Sequence, residues 1–207
     1  MSRAVTTLAI VLLLTSACAN PAADKPKAVT GEAAPVASAP ATGERYSISP
    51  QSSKIEFVGS KVTGSHNGSF ERFSGDIDYQ GQPEKSRVRI TIDLNSITTD
   101  EAQLTEHLKT ADFFDVAKYP QATFESTEIR AGGEKGATHT VTGNLQMHGV
   151  TKSITFPATI AISSEGATVD SSFAINRKDF GIMYAGKRDD LIRDDVVLTL
   201  RIRATKA

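Results

Sequence analysis

The four histidines, His66, His107, His139 and His148, are the side chains best suited to acid–base or metal chemistry near neutral pH. None stands in an HExxH or another short metal-ligating spacing. His148 falls on the polar face of an alternating stretch, and His107 reads as a solvent-facing position in the middle of a helical one. His66 lies in a Gly-rich turn, GSHNGSF, and is the candidate to watch. A proton-transfer site would pair it with Arg177 or Lys178 of the stretch INRKDFG. The run RDDLIRDD, with Asp189, Asp190, Asp194 and Asp195, could pass for a carboxylate pair or a calcium loop. It lacks the EF-hand register, and the interleaved Arg188 and Arg193 make it a solvated loop. No GxSxG elbow and no P-loop occurs. These residues form no catalytic constellation, so the expectation is a protein that is not an enzyme and uses no metal or cofactor.

The residue with a covalent fate is Cys18, the single cysteine. It follows Arg3, the apolar run Leu8 to Leu14 (LAIVLLL) and the small residues Thr15, Ser16 and Ala17. That run is too short for a stable transmembrane helix and reads as a signal peptide over 1–17. The stretch LTSAC resembles a bacterial lipobox, with Thr15 where leucine is usual. The resemblance implies diacylglyceryl transfer to Cys18, cleavage before it, and acylation of its amine. Ala19 after the cysteine, where aspartate would signal retention, implies the outer membrane, facing the periplasm. Several acyl chains anchor far more firmly than one. With no second cysteine there is no disulfide framework and no cysteine–zinc site.

From Ala19 to Glu44 the chain is rich in Ala and Pro and has no aromatic residue. Such a segment cannot bury enough apolar surface of its own to offset chain entropy. Residues 18–44 therefore read as a lipidated cysteine followed by a disordered, extended tether. The folded domain is expected over 45–207. Its formal charge is mixed and close to balanced, −1 over the chain, which excludes the basic stripe of a nucleic-acid binder.

The elements that must position any site are strands. RVRITIDL (87–94) alternates cleanly, with Val88, Ile90, Ile92 and Leu94 on one face. KSITFPATIAI (152–162) does the same with Ile154, Phe156, Ala158, Ile160 and Ile162, and DVVLTLRIR (195–203) with Val196, Leu198, Leu200 and Ile202. SSKIEFV, GSFERFSGDIDY, QATFESTEI, HTVTGNLQM and ATVDSSFAI alternate more weakly. Short strands between Gly- and Ser-rich turns point to an all-β antiparallel sandwich or barrel. Pro157 cannot donate to a ladder, so its strand is expected at an edge or bulged there. One stretch, TTDEAQLTEHLKTADFF (98–114), is helical in pattern: Thr98 and Glu101 have capping-box spacing, and Leu104 and Leu108 share a face. Phe113 and Phe114 follow where it ends. A short helix ending in two phenylalanines is well placed to lid one mouth of a barrel; the alternative is that both rings pack under the helix.

Three stretches then resemble one family. HLKTADFFDVAKYPQATFEST, VTGNLQMHGVTKSITFPATI and INRKDFG, in that order, resemble the motifs of the YceI-like family and span about Tyr46 to Ala204. The first strand region, EFVGSKVTGSHNGSF, departs from the commoner F-x-V-x-H-x-G version. The resemblance implies an extended lipocalin-like antiparallel β-barrel of about eight strands with one short helix near a mouth. It implies a long apolar ligand, polyisoprenoid or isoprenoid-quinone-like, held inside. The expected lining or lid is Ile90, Ile92, Phe113, Phe114, Ile154, Phe156, Phe173 and Leu198, with His66 and Arg177 as possible polar contacts to a head group. Burying one methylene is worth about 0.8 kcal/mol, against an association cost of about 4–15 kcal/mol. Such a lining selects length and apolarity over chemistry. The competing readings are a packed barrel without ligand, as a structural or interaction module, and an enzyme acting on an isoprenoid lipid. The expected partners are the lipid and, through Cys18, a membrane, for a monomer or homodimer with no nucleic acid.

Overall fold

A computed structural model describes residues 20–36, 43–163 and 165–207. The signal segment 1–17 and Cys18 therefore lie outside the described residues. Fourteen strands and one α-helix are present among the described residues. They are β1 (Val29–Glu32), β2 (Glu44–Ile48), β3 (Lys54–Ser60), β4 (Ser65–Phe70), β5 (Phe73–Tyr79), β6 (Arg87–Asp93), β7 (Ile97–Thr99), α1 (Ala102–Lys109), β8 (Gln121–Ala131), β9 (His139–Met147), β10 (Val150–Ile162), β11 (Gly166–Asn176), β12 (Gly186–Lys187), β13 (Asp190–Leu191) and β14 (Asp195–Lys206).

Round the wall, β2, β5, β6, β8, β9, β10, β11 and β14 each pair antiparallel with the next, and β14 pairs back with β2 at Lys206 and Tyr46. The eight-stranded antiparallel barrel expected from the sequence is closed. Toward one end β3 and β4 continue the lines of β2 and β5, and β3 takes over as partner of β14 from Lys54 to Val58. Period-two patterning produces this wall: inward rows such as Ile90, Ile154, Phe156 and Phe173 are buried, while their chain neighbours are mostly half-buried or exposed.

Three expectations need correction. The helical stretch is shorter than 98–114. Ile97–Thr99 is a strand pairing with Gly68 to Phe70, and α1 covers Ala102–Lys109 alone. β-Branched Ile97, Thr98 and Thr99 fit a ladder better than a helix. The capping box is not formed: Glu101 makes no side-chain cap bond, and the Thr99 N–H donates to Thr105 Oγ1 at 2.9 Å.

The tether is not unstructured over 20–36. Within residues 20–36, Lys27 bridges Ala174 of β11, Ala28 packs against the core, and β1 pairs with β10 from Val29↔Thr155 to Glu32↔Lys152. Ala28 N–H donates to Ala174 O and Ala174 N–H to Pro26 O, both at 2.8 Å. Ala22 is buried against Ala174, Val197 and Val58, three outward-facing residues of β11, β14 and β3.

Pro157 shows why this strap has a place to dock. β10 is an interior strand, paired with β9 from Val150 to Ala158. On its other side it pairs with β11 only from Thr159 onward and with β1 only as far as Thr155. The proline stands in the interval, where no ladder donor is needed, and its carbonyl accepts from Ser171 Oγ at 2.5 Å. On the N-terminal side of the proline β10 is apart from β11, and its free edge there is taken by β1.

Candidate functional site

The barrel is hollow. A cavity of about 590 Å³ runs through its interior, lined almost wholly by aliphatic and aromatic side chains. Ile90 and Ile92 of β6, Ile154 and Phe156 of β10, Phe173 of β11 and Leu198 of β14 all lie on its wall. Phe156 and Phe173 stack with centroids 4.2 Å apart and planes 10° from parallel, where β10 and β11 begin to separate. Two rings that could cross the lumen are instead laid against the wall. A Cβ at Gly68 would collide with the Phe57 ring, and one at Gly143 with the Phe124 ring. Glycine at these two inward positions lets Phe57 and Phe124 lie flat and keeps the interior open.

The two ends differ. At one, Tyr46 is buried, its hydroxyl donates to Glu44 Oε2 at 2.8 Å, and its ring meets Tyr79 edge-on at 6.1 Å. At the other, α1 turns Leu104 and Leu108 onto the cavity. The chain then reverses through Asp115, at φ 46°, and the Phe114 N–H donates to Leu108 O at 3.0 Å. This brings both phenylalanines onto the cavity wall. Phe113 packs against His107 (5.0 Å) and Tyr184 (5.2 Å), and Phe114 against Phe70 (6.2 Å). The pair thus packs beside the helix and lines the cavity at that end.

His107 keeps part of its ring in solvent, 38% exposed, while its edge meets Phe113 and Tyr184 and Nε2 lies 2.8 Å from Asp112 Oδ2. His148 sits in a turn, at φ 53°, with Nδ1 3.2 Å from Phe180 O. His139 is buried beside Thr138, Nδ1 to Oγ1 2.7 Å.

The two polar candidates line the mouth, each with partners of its own. Arg177 is buried, and its guanidinium donates to Ile182 O (2.7 Å), Arg193 O (3.2 Å) and Asp194 Oδ1 (3.4 Å). Burial pushes it down from its ordinary value, with Asp194 opposing. It pins the loop that carries Ile182 and Arg193. Lys178 turns away to Asp194, Nζ to Oδ2 3.0 Å. His66 Nδ1 is 2.9 Å from Asp100 Oδ1, and the Asn67 N–H donates to Asp100 Oδ2 at 2.9 Å. Among the described residues no group of three or more His, Cys, Asp or Glu is arranged to hold a metal ion.

The Asp100 carboxyl is held below its ordinary value of 3.8, first by the Asn67 N–H and then by His66. A depressed carboxyl pKa makes this tie stabilising above the ordinary value and loses it as the pH falls through the folded-state value. Asp100→Asn is therefore expected to speed amide exchange at Asn67 at pH 6. The difference from the parent should vanish as the pH falls below 3.8, where the parent carboxyl takes up its proton. Equal exchange at pH 6 would show that the tie does not hold the mouth.

Sequence patterning missed several lining residues, among them Phe57, Phe70 and Phe124, and also Tyr184, which packs on Phe113 beside the cavity. Phe57 and Phe124 stand at inward positions of SSKIEFV and QATFESTEI, so period two could have found them. Tyr184 lies in an irregular loop and carries no periodic signal.

The sequence profile of the YceI-like domain matches residues 46–204. The UPF0312 protein of Pseudomonas putida (strain GB-1) is 36% identical over 137 residues, 63% of this chain and 70% of that protein. The UPF0312 protein of Pseudomonas aeruginosa (strain LESB58) is 37% identical over 122 residues, 56% of this chain and 62% of that protein. Two solved structures share the fold. Burkholderia cenocepacia BcnA superposes with a TM-score of 0.65 at 24% identity, covering 76% of this chain and 99% of its own. A polyisoprenoid binding domain from Saccharophagus degradans, implicated in plant cell wall breakdown, does so with a TM-score of 0.63 at 21% identity, covering 78% of this chain and 98% of its own.

Proposed function

This chain belongs to the YceI-like family, and from that premise we propose that its barrel carries or sequesters one long apolar lipid, polyisoprenoid or isoprenoid-quinone-like. The observation that carries this reading is the cavity: about 590 Å³ of interior lined by aliphatic and aromatic side chains, with the polar groups gathered at one mouth. Filling it with methylenes at about 0.8 kcal/mol each offsets the association cost only for a long chain. A packed, ligand-free barrel is disfavoured by a void of that volume. An enzyme is disfavoured because His66, Arg177 and Lys178 are each engaged by neighbours and Lys178 is turned off the cavity. The polyisoprenoid binding domain from Saccharophagus degradans, which shares the fold, supports the ligand class.

We further propose that the protein is tethered by acylated Cys18 to the outer membrane, facing the periplasm, as LTSAC and Ala19 suggest. The test is native mass spectrometry of the full chain after export in a bacterium, followed by organic extraction. The expected result is one non-covalent adduct that extraction identifies as a long prenyl or acyl molecule, and an N-terminal peptide beginning at an acylated Cys18. A ligand-free mass that gains nothing on incubation with prenyl lipids would overturn the carrier reading. An unmodified Cys18 would overturn the anchor.

A further inference from the structure

Among the described residues four large apolar side chains stand mostly exposed, and three of them lie at the open mouth. Val62 is 55% exposed, Met183 62% and Leu191 50%; the fourth, Val29, is on β1. Each of the three is the chain neighbour of a residue on the cavity wall. Lys61 and Ile192 line the cavity and form an antiparallel bridge. One step outward along each chain come Val62 and Leu191, joined by a bond from Val62 N–H to Leu191 O at 3.1 Å. Cross-strand neighbours of this kind emerge on one face. Met183 stands between Ile182, on the cavity wall, and Tyr184, which packs on Phe113. Apolar side chains are therefore exposed at the tips of two loops that flank the opening of the lumen. Single exposed apolar residues are ordinary, but three adjoining one opening form a rim.

Charge does not explain this rim. Lys61 is held by Asp190 at 2.6 Å and Lys178 by Asp194 at 2.9 Å, and the hairpin tip mixes Lys187 and Arg188 with Asp189. The partner that fits is apolar beneath a polar surface. The strap adds an independent constraint. Ala22 is seated on Val58 and Val197, two residues along β3 and β14 from Ser60 and Asp195 at the mouth. Cys18 is only two residues before Asn20, a span of at most about 7 Å. The chain thus leaves the described structure toward Cys18 from the half of the barrel that carries the mouth.

We propose that Val62, Met183 and Leu191 insert into a phospholipid bilayer and that the ligand passes between bilayer and cavity through this mouth. The proposal rests on the reading that the cavity holds a lipid: a molecule of that apolarity would cross between two apolar phases without entering water. Contact through side-chain insertion also makes docking only weakly dependent on salt.

The test uses the chain from residue 18 to 207 with Cys18→Ser, so that neither the signal segment nor an acyl group contributes and one new cysteine can be labelled. A solvatochromic dye is placed at Leu191→Cys, or at Gln82→Cys, which is exposed at the end away from α1. With vesicles of three parts phosphatidylcholine to one part phosphatidylglycerol, the dye at 191 should shift to the blue and be quenched by spin-labelled lipid, and the dye at 82 should do neither. An equal response at both positions, or none at 191, overturns docking by the mouth. A shift at 191 without vesicles that grows with protein concentration overturns it in favour of a second copy of this chain. The double variant Met183→Asp/Leu191→Asp should then slow delivery of a dansyl-labelled prenyl alcohol to the vesicles at least tenfold, with unchanged affinity for that probe in solution. Undiminished delivery overturns the transfer route. If the parent chain fails to bind the probe at all, the lipid-carrier reading fails, and the comparison of 191 with 82 still decides the docking.

Discussion

Replacing Ile90 by tryptophan is expected to weaken binding of a dansyl-labelled prenyl alcohol about 200-fold and to leave the barrel folded. Ile90 is an inward residue of β6, buried at 7% exposure, paired across the wall with Phe124 of β8 and facing the cavity. In a packed core the larger ring would be destabilising, by about 1–3 kcal/mol, because every neighbour must shift. Here the extra ring has about 590 Å³ to enter. What it takes is space for ligand. Displacing about four methylenes at about 0.8 kcal/mol each forfeits about 3.2 kcal/mol. At 1.4 kcal/mol per tenfold, that is about 200-fold in Kd. A fluorescence titration gives the affinity, and urea unfolding of the same sample gives the stability. A large loss of stability with affinity unchanged would mean that the void is not where the ligand lies.

How much of this was legible follows from what each signal measures. Alternation reports which face of a strand is covered, and it placed Ile90, Ile92, Ile154, Phe156, Phe173 and Leu198 inward, where they line the cavity. It cannot report whether the covered space is filled. That depends on Phe57 and Phe124 lying flat over Gly68 and Gly143, each of which is brought to its ring only by strand register. The paired phenylalanines were visible at the end of a helical pattern, yet their turn depends on Asp115 adopting positive φ, which the residue type permits without requiring. The arginine of INRKDFG was readable as a motif position; that its guanidinium is spent on the carbonyls of Ile182 and Arg193 was not, because those residues are contacts of a loop without periodicity.

The strap shows a different blindness. Composition asks whether a segment can bury a core of its own, and for 20–36 the answer is no. The segment instead completes a surface belonging to other elements. A trace of this was present in the rows that face outward: Val58, Ala174 and Val197 are small or apolar where their neighbours in the row, such as Glu56, Ser172 and Thr199, are polar. An apolar outward patch on a barrel wall, together with a proline where β10 changes partner, marks a place that another part of the chain covers.

Substituting Ala22 by aspartate is accordingly expected to release the strap, lowering stability by about 2–4 kcal/mol. Ala22 is 1% exposed, and its methyl group meets Ala174, Val197 and Val58 with no polar group among them. A carboxylate there would be buried without a partner, which costs more than the strap's other contacts can supply. Those contacts are four register pairs of β1 with β10, two backbone bonds to Ala174, the bonds between Ala34 and Asn144, a bond from Lys135 Nζ to Asp24 O, the Lys27–Asp195 ion pair, worth less than about 1 kcal/mol, and the Lys152–Glu32 ion pair, in which Glu32 is exposed. The loss is capped because the strap can undock while the barrel, closed without it, stays folded. Two readouts separate this from general unfolding. Trypsin should cut after Lys27 in the variant and not in the parent, whereas Lys25, followed by Pro26, stays resistant in both; urea unfolding should keep a single barrel transition at a lower midpoint. Val29→Asp is the control, since Val29 is 69% exposed and should change neither readout. If Ala22→Asp is silent in both, the strap does not dock as described, and Cys18 would hold the barrel on a long free leash. If the strap is released, the acyl group proposed on Cys18 would hold the parent's barrel wall itself within a few residues of the bilayer. The mouth would then be fixed toward the membrane by the same short segment that closes the edge of β10.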